Sequence, residues 1–156
     1  MFPKVCVLPT TPEEILETTR LYAEAGVPGC IGSIDATHVK WNNCPMKFKQ
    51  YHSGRYGFPT RSYQVVVNHK RQCLSVSGGY YGSMNDKSTI RSDPFVSRLL
   101  NKKIYQNEVF DLYDHNGVAH EHKGLYLISD NGYHKWRCLQ SPMKTPVDRD
   151  IQLEST

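Results

Sequence analysis

The chain has 156 residues and a mass of 17.9 kDa, the size of one ordinary domain. Hydrophobic residues make up 38% and charged residues 22%, enough for a modest core, and no apolar run approaches the roughly 20 residues of a membrane span. The net charge of +4 is unevenly spread: residues 36–85 contain no Asp or Glu and seven Lys or Arg, so the remainder of the chain is net acidic.

Residues 1–10 carry Pro3 and Pro9 and no long apolar segment. They predict an arm with little structure and no secretory signal. Thr11-Pro12-Glu13-Glu14 is a helix start, with Thr11 as cap, Pro12 in the first turn and Glu14 closing a capping box. The helix is expected to stop at Gly26, with Pro28 beyond it. Residues 30–41 read as a strand with Ile31, Ile34, Val39 and Trp41 as its apolar members. Residues 42–60 are polar and broken by Gly and Pro, which predicts a loop or irregular ribbon. Val65-Val66-Val67 inside residues 62–68 predicts a strand buried on both faces. A polar turn at 69–72 leads to a returning strand at 73–77, which Gly78-Gly79 and Gly82 are expected to break. Asn85 or Asp86 is placed to cap a short helix, and Asp93-Pro94 to start another through Leu100. Residues 109–113 and 118–122 flank Asn116-Gly117, a hairpin signal. Residues 125–129 form a short apolar strand ending at Asp130, and the tail from Ser141 shows no helical periodicity. Strands with helices between the later ones predict a mixed α/β sheet domain.

The five cysteines are odd in number, widely spaced and without a CxxC pair. That predicts reduced thiols in an intracellular protein. Two His/Cys sets invite a zinc reading: Cys30, His38, Cys44 and His52, and His115, His120, His122 and His134. Neither has the tight paired spacing of structural zinc sites, although His120 and His122 share a strand face.

The acid-free stretch also holds eight aromatic residues among its seven basic ones. Interleaved rings and cations suit a polyanion with stackable bases; a solvated face over core aromatics is the alternative. Asp35 lies within an otherwise apolar strand, where an ionised carboxylate is costly without a partner or metal. Asp130 ends another strand. Two acids at strand ends of one sheet can converge on a hard divalent cation such as Mg²⁺. The structural alternatives are a salt bridge from Asp35 to Lys40 or Arg61, a turn role for Asp130, and a capping role for Asp86.

Three blocks add a resemblance. Gly29-Cys30-Ile31-Gly32-Ser33-Ile34-Asp35-Ala36-Thr37-His38 resembles the first catalytic block of PIF/Harbinger-type DDE transposases, and Trp41-Asn42-Asn43-Cys44-Pro45 resembles the plant branch. Gly82-Ser83-Met84-Asn85-Asp86 is similar to their G-S-x-N-D block. Leu125 to Tyr133, with Asp130-Asn131-Gly132-Tyr133 at its end, is similar to their L-x-D-x-G-Y block. The resemblance implies an RNase H-like mixed sheet with flanking helices in a nuclease domain spanning residues 11–146, between an arm at 1–10 and a tail at 147–156. It implies that Asp35 and Asp130 are catalytic acids and that Asp35, Asp86 and Asp130 bind divalent metal, Mg²⁺ or Mn²⁺. The implied reaction is phosphodiester cleavage of DNA by a two-metal carboxylate site. Expected DNA contacts are Lys40, Lys47, Lys49, Arg55 and Arg61; a separate DNA-binding accessory protein and nuclear location follow from the resemblance alone. Two departures stand out. His134 replaces the usual Pro after Gly-Tyr, and the last acid of the family is a Glu on a later helix, whereas Thr156 is only 26 residues past Asp130. Glu154 lies in a segment that does not read as a helix. The site is therefore expected to lack its last ligand and to be weak or inactive, and a non-catalytic nucleic-acid- or protein-binding module is the second reading.

Overall fold

The computed structural model describes residues 6–101 and 103–142. A five-stranded mixed sheet forms its centre. Helix α1, Pro12–Glu24, comes first, then strand β1, Cys30–Lys40, helix α2, Met46–His52, and strands β2, Thr60–Val67, and β3, Cys73–Tyr81. Helices α3, Asp86–Arg91, and α4, Pro94–Leu100, follow, then the hairpin β4, Val109–Tyr113, and β5, Ala119–Lys123. Strands β6, Tyr126–Ile128, and β7, Leu139–Gln140, complete the sheet. Its order is β3-β2-β1-β6-β7. The first three strands are antiparallel, and β6 and β7 run parallel to β1. A meander that continues into parallel strands on the far side of β1 is consistent with an RNase H-like fold. No helix among the described residues is long and apolar enough to cross a membrane.

Local chemistry explains most boundaries. Thr11 and Glu14 make the expected capping box on α1, and Asn85, rather than Asp86, caps α3 by accepting from the Ser88 amide at 2.8 Å. Ile31 and Ile34 of β1, Val66 of β2, Leu74 of β3 and Leu127 of β6 meet Ile90 of α3 and Phe95, Val96 and Leu99 of α4 in one core.

Several expectations need correction. Residues 46–52 form a helix, not a loop. Pro45 provides no side-chain cap, so this seven-residue helix depends on tertiary contact: Phe48 stacks with Trp41, and His52 packs edge-on against Trp41 and Tyr81. Strand β3 runs through Gly78-Gly79, because the pairing with β2 shifts between Ser62 and Tyr63 and Gly79 adopts a positive φ there. A bulge absorbs the glycines without ending the strand. Strand β2 is buried on one face only: Thr60, Ser62, Gln64 and Val66 are covered, while Val65 and Val67 are half-exposed. In the described part of the arm, Cys6 forms a single backbone β-bridge with Cys73, residues 7–10 have no regular secondary structure, and the Tyr105 hydroxyl donates to the Pro9 carbonyl at 2.6 Å. Glu154 and the rest of the 147–156 tail lie outside the described residues.

Asp93 fastens the helical layer to the sheet. Its side chain is 1% exposed, accepts from the Val96 amide at 2.8 Å and from the Ser77 hydroxyl of β3. Asp93→Ala removes a cap, about 1 kcal/mol, and strands a buried hydroxyl, about 1–3 kcal/mol. Urea unfolding is expected to show a loss of about 2–4 kcal/mol, with a smaller loss for Asp93→Asn, which keeps the cap.

Candidate metal centre

The register of the sheet brings two of the expected acids together. In the β1–β6 pairing the last matched residues are Ser33 and Ile128. Asp35, midway along β1, and Asp130, two residues past the end of β6, each lie two residues beyond that matched pair. Asp86, the first residue of α3, approaches from a third element. A Cβ added at Gly132 would sit 3.0 Å from Asp130 Oδ1 and 3.1 Å from Asp86 Oδ2. The two carboxylates therefore face one small space that only a glycine leaves open.

Electrostatics record this crowding. Partial burial pushes the Asp86 carboxyl above its ordinary value, and the charges of Asp130 and Asp35 push it in the same direction. Arg55 and His38 oppose them. Burial also raises the Tyr133 hydroxyl, to which the charges of Asp86, Asp35 and Asp130 add. Like charges this close favour the neutral form unless a cation intervenes.

The structural alternatives fare differently. Asp86 is relieved of capping by Asn85. Lys40 lies over the Phe58 ring and Arg61 over Trp41, and among the described residues neither forms an ion pair with Asp35. Asp35 Oδ1 accepts from the Ala36 amide at 2.7 Å. Asp130 does hold its turn, accepting from the Gly132 amide at 2.8 Å. Among the described residues, no three His, Cys, Asp or Glu side chains gather closely enough to hold an ion. The expected set Asp35, Asp86 and Asp130 is thus a convergent pair with a neighbour, not a closed three-ligand cage. The zinc sets are dispersed: His52 Nδ1 donates to the Thr60 carbonyl at 2.8 Å, His120 lies 3.4 Å from Asp114, and His134 stacks on Trp136.

Five of the seven basic residues lie on or flank the segment between β1 and β2, and Arg55 among them is near enough to Asp86 to favour its charged form. Lys40, Lys47, Lys49, Arg55 and Arg61 are all exposed. Lys70 and Arg71 are not part of it; they sit in the β2–β3 turn at the opposite end of β2, where Lys70 pairs with Glu17 of α1 at 2.6 Å.

Sequence reasoning missed Gln64 and assigned Tyr133 no role. Gln64 is fully buried, its Oε1 accepts from the Tyr133 hydroxyl at 2.8 Å, and its Nε2 has no partner. It lies opposite Ala36 on β1, next to Asp35. This bond ties the Asp130–Gly132 turn to the strand beside Asp35. The alternation Thr60, Ser62, Gln64, Val66 was the available signal: polar residues on the buried face of a strand.

Residues 9–155 match the family described as Plant transposon protein. The chain belongs to that family. It is also similar to a Protein ALP1-like of Arabidopsis thaliana, 26% identical over 111 residues. That match covers 70% of this chain and 26% of the relative, so the chain spans about a quarter of the relative's length. No solved structure matches it.

Two predictions follow from the geometry. Tyr133→Phe leaves the Gln64 amide wholly unpaired and is expected to cost about 1–3 kcal/mol in urea unfolding. Adding Gln64→Leu should recover much of that loss, because replacing both partners by apolar groups is nearly neutral. Folding raises the Asp86 pKa, so the folded state binds the extra proton. Stability should fall as pH rises from about 3.8 through the raised value. Asp86→Asn should flatten that decline, and in an NMR titration Asp130→Asn should lower the Asp86 midpoint.

Proposed function

We propose that this chain carries the acid site and DNA-contacting ribbon of a PIF/Harbinger-type DDE endonuclease. In this reading Asp35 and Asp130 are the catalytic acids, and Asp86 joins them in holding divalent cation, Mg²⁺ or Mn²⁺. The observation that carries it is the meeting of Asp86 and Asp130 at Gly132, with Asp35 of β1 near enough for its charge to act on Asp86.

The residues fit such an ion. Carboxylate oxygens are the hard ligands Mg²⁺ prefers, glycine leaves the space between them free, and the mutual repulsion that raises Asp86 is what a cation relieves. Divalent ions at paired carboxylates supply charge stabilisation for an in-line displacement at phosphorus. The chain's own side chains do the rest. Tyr133, anchored by Gln64, holds the Asp130 turn against β2. The charges of Asp86 and Asp35 act on Arg55, and in this reading its cation meets a phosphate beside the acids. Lys40, Lys47, Lys49 and Arg61 extend that positive surface along the ribbon. Target choice through a separate DNA-binding protein and work in the nucleus belong to the same proposal.

A second reading, a nucleic-acid- or protein-binding module without chemistry, is favoured by the absence of a closed three-ligand cluster among the described residues. Metal binding separates the two. Removing one carboxylate removes a unit charge at contact distance, on the order of 1–4 kcal/mol at a surface site, or about fivefold or more in affinity. Calorimetric titration of Mn²⁺ should show that loss for Asp130→Ala and Asp35→Ala and a smaller one for Asp86→Ala. Equal affinity in all four proteins would refute the site. Nicking of supercoiled plasmid in Mn²⁺ that disappears in Asp130→Ala would establish catalysis; metal binding without nicking would leave a binding module that retains its ion.

A further inference from the structure

The ribbon between β1 and β2 carries a second feature that the acid site does not use. Four basic groups each lie over an aromatic ring: Arg61 over Trp41 at 4.5 Å, Lys47 over Phe48 at 4.9 Å, Arg55 over Tyr56 at 5.0 Å and Lys40 over Phe58 at 5.1 Å. The rings are not core residues. Phe48 is 38% exposed, Tyr56 and Phe58 are each 40% exposed, and Tyr51 is 58% exposed. They also neighbour one another: Trp41 and Phe48 are near-parallel at 6.5 Å, and Tyr56 and Phe58 stand 6.0 Å apart.

Burying an aromatic ring is among the larger favourable terms open to a small domain. A loop that needed only solubility would keep the lysines and dispense with the rings. Here ring and cation alternate over a surface without a single acid between residues 36 and 85. That alternation matches a strand of nucleic acid, in which base and phosphate also alternate. A duplex hides its base faces inside the stack; only unpaired bases can present a face to Phe48, Tyr56 or Phe58.

The ribbon is locked to the acid site. The Ser83 hydroxyl donates to the Tyr51 carbonyl at 2.6 Å. A Cβ at Gly82 would lie 2.0 Å from Thr60 Oγ1, and one at Gly54 would lie 2.6 Å from the Gly82 carbonyl. The ribbon and the turn leading to Asp86 therefore touch backbone to backbone.

We infer that the exposed rings Phe48, Tyr56 and Phe58, with the cations over them, form a stacking platform for unpaired bases. A single-stranded or frayed DNA segment held there has its phosphates directed toward Arg55 and the Asp86–Asp130 pair. This placement rests on the proposed acid site, but the binding itself needs no metal and is measured without it.

The test is anisotropy in EDTA across a salt series. The probes are labelled oligothymidylate of about 20 nucleotides, which spans more than one ordinary single-strand site, and a mixed-sequence duplex of equal length. The wild type should bind the single strand at least about fivefold more tightly than the duplex at equal salt, since one stacked base supplies about 1–3 kcal/mol. Phe48→Leu/Tyr56→Leu/Phe58→Leu keeps apolar bulk and removes the ring faces. It should abolish that preference, weakening the single strand more than the duplex, with the thermal unfolding midpoint confirming the fold. Lys47→Gln/Lys49→Gln/Arg55→Gln should instead weaken both probes and flatten the salt dependence, by about 0.7 per lost phosphate contact on the single strand. Absence of binding at low salt, no preference for the single strand, or a preference that survives loss of the three rings would overturn the inference. Displacement of the single strand by polyglutamate at equal charge concentration would also overturn it, in favour of an acidic protein partner. Single-strand preference without carboxylate-dependent Mn²⁺ binding would refute the acid site alone; the reverse would refute the platform alone.

Discussion

β1 pairs antiparallel with β2 on one side and parallel with β6 on the other, and the site depends on that double register. The parallel pairing at Ser33 and Ile128 sets Asp35 beside Asp130. The antiparallel pairing sets Gln64 opposite Ala36 and so beneath the same corner. Side chains alternate along a strand, so a slip of one residue on either side would turn the acid or its support to the other face of the sheet. Ile31, Ile34, Val66 and Leu127 hold the register by burial, and in that way an apolar core specifies where charges meet.

The corner so built is strained electrostatically rather than sterically. Asp86 is partly buried and faces Asp130 across the space left by Gly132. In a purely structural site this would be a defect, since a neighbouring Asn or Ser would fold as well without repulsion. Asn85 already caps α3, so Asp86 is free of that task and stands as the acid of the first helical turn.

Around this corner the interior is unusually polar. Thr60, Ser62 and Gln64 occupy the covered face of β2, where an ordinary sheet would place Val or Ile. Their partners explain them in part. His38 Nδ1 lies 3.2 Å from Thr60 Oγ1, and His52 donates to the Thr60 carbonyl, so Thr60 joins β1, α2 and β2 at the base of the ribbon. Gln64 holds Tyr133. Its Nε2 is buried without a partner, on the residue that pairs with Ala36, the neighbour of Asp35. Polar contacts are directional where apolar ones are not, which suits a region that must position charged groups.

Much of this was legible before any coordinates. The capping box of α1, the Asn85 and Asp93 caps, the hairpin and the alternation of the longer strands come from short-range stereochemistry, which a linear sequence contains in full. The resemblance of the three acid-bearing blocks to known catalytic blocks implied the same corner. What could not be read was whatever depends on partners distant in the chain. Helix α2 has no cap of its own and exists because Trp41 and Tyr81 pack against it. Strand β7, two residues long, exists because β6 offers it an edge. Gly78-Gly79 became a bulge inside a strand because β2 pairs on both sides of it. Lys70 fell away from the basic face because the β2–β3 turn carries it to the opposite end of β2. The sequence by itself determined which side chains were available and the local elements that carry them. Only the tertiary structure decided that Asp86 meets Asp130 over Gly132, that Gln64 anchors Tyr133, and that the aromatic ribbon lies against the acid corner. Those contacts are set by strand register and by backbone approaches, and each joins residues that the chain keeps apart.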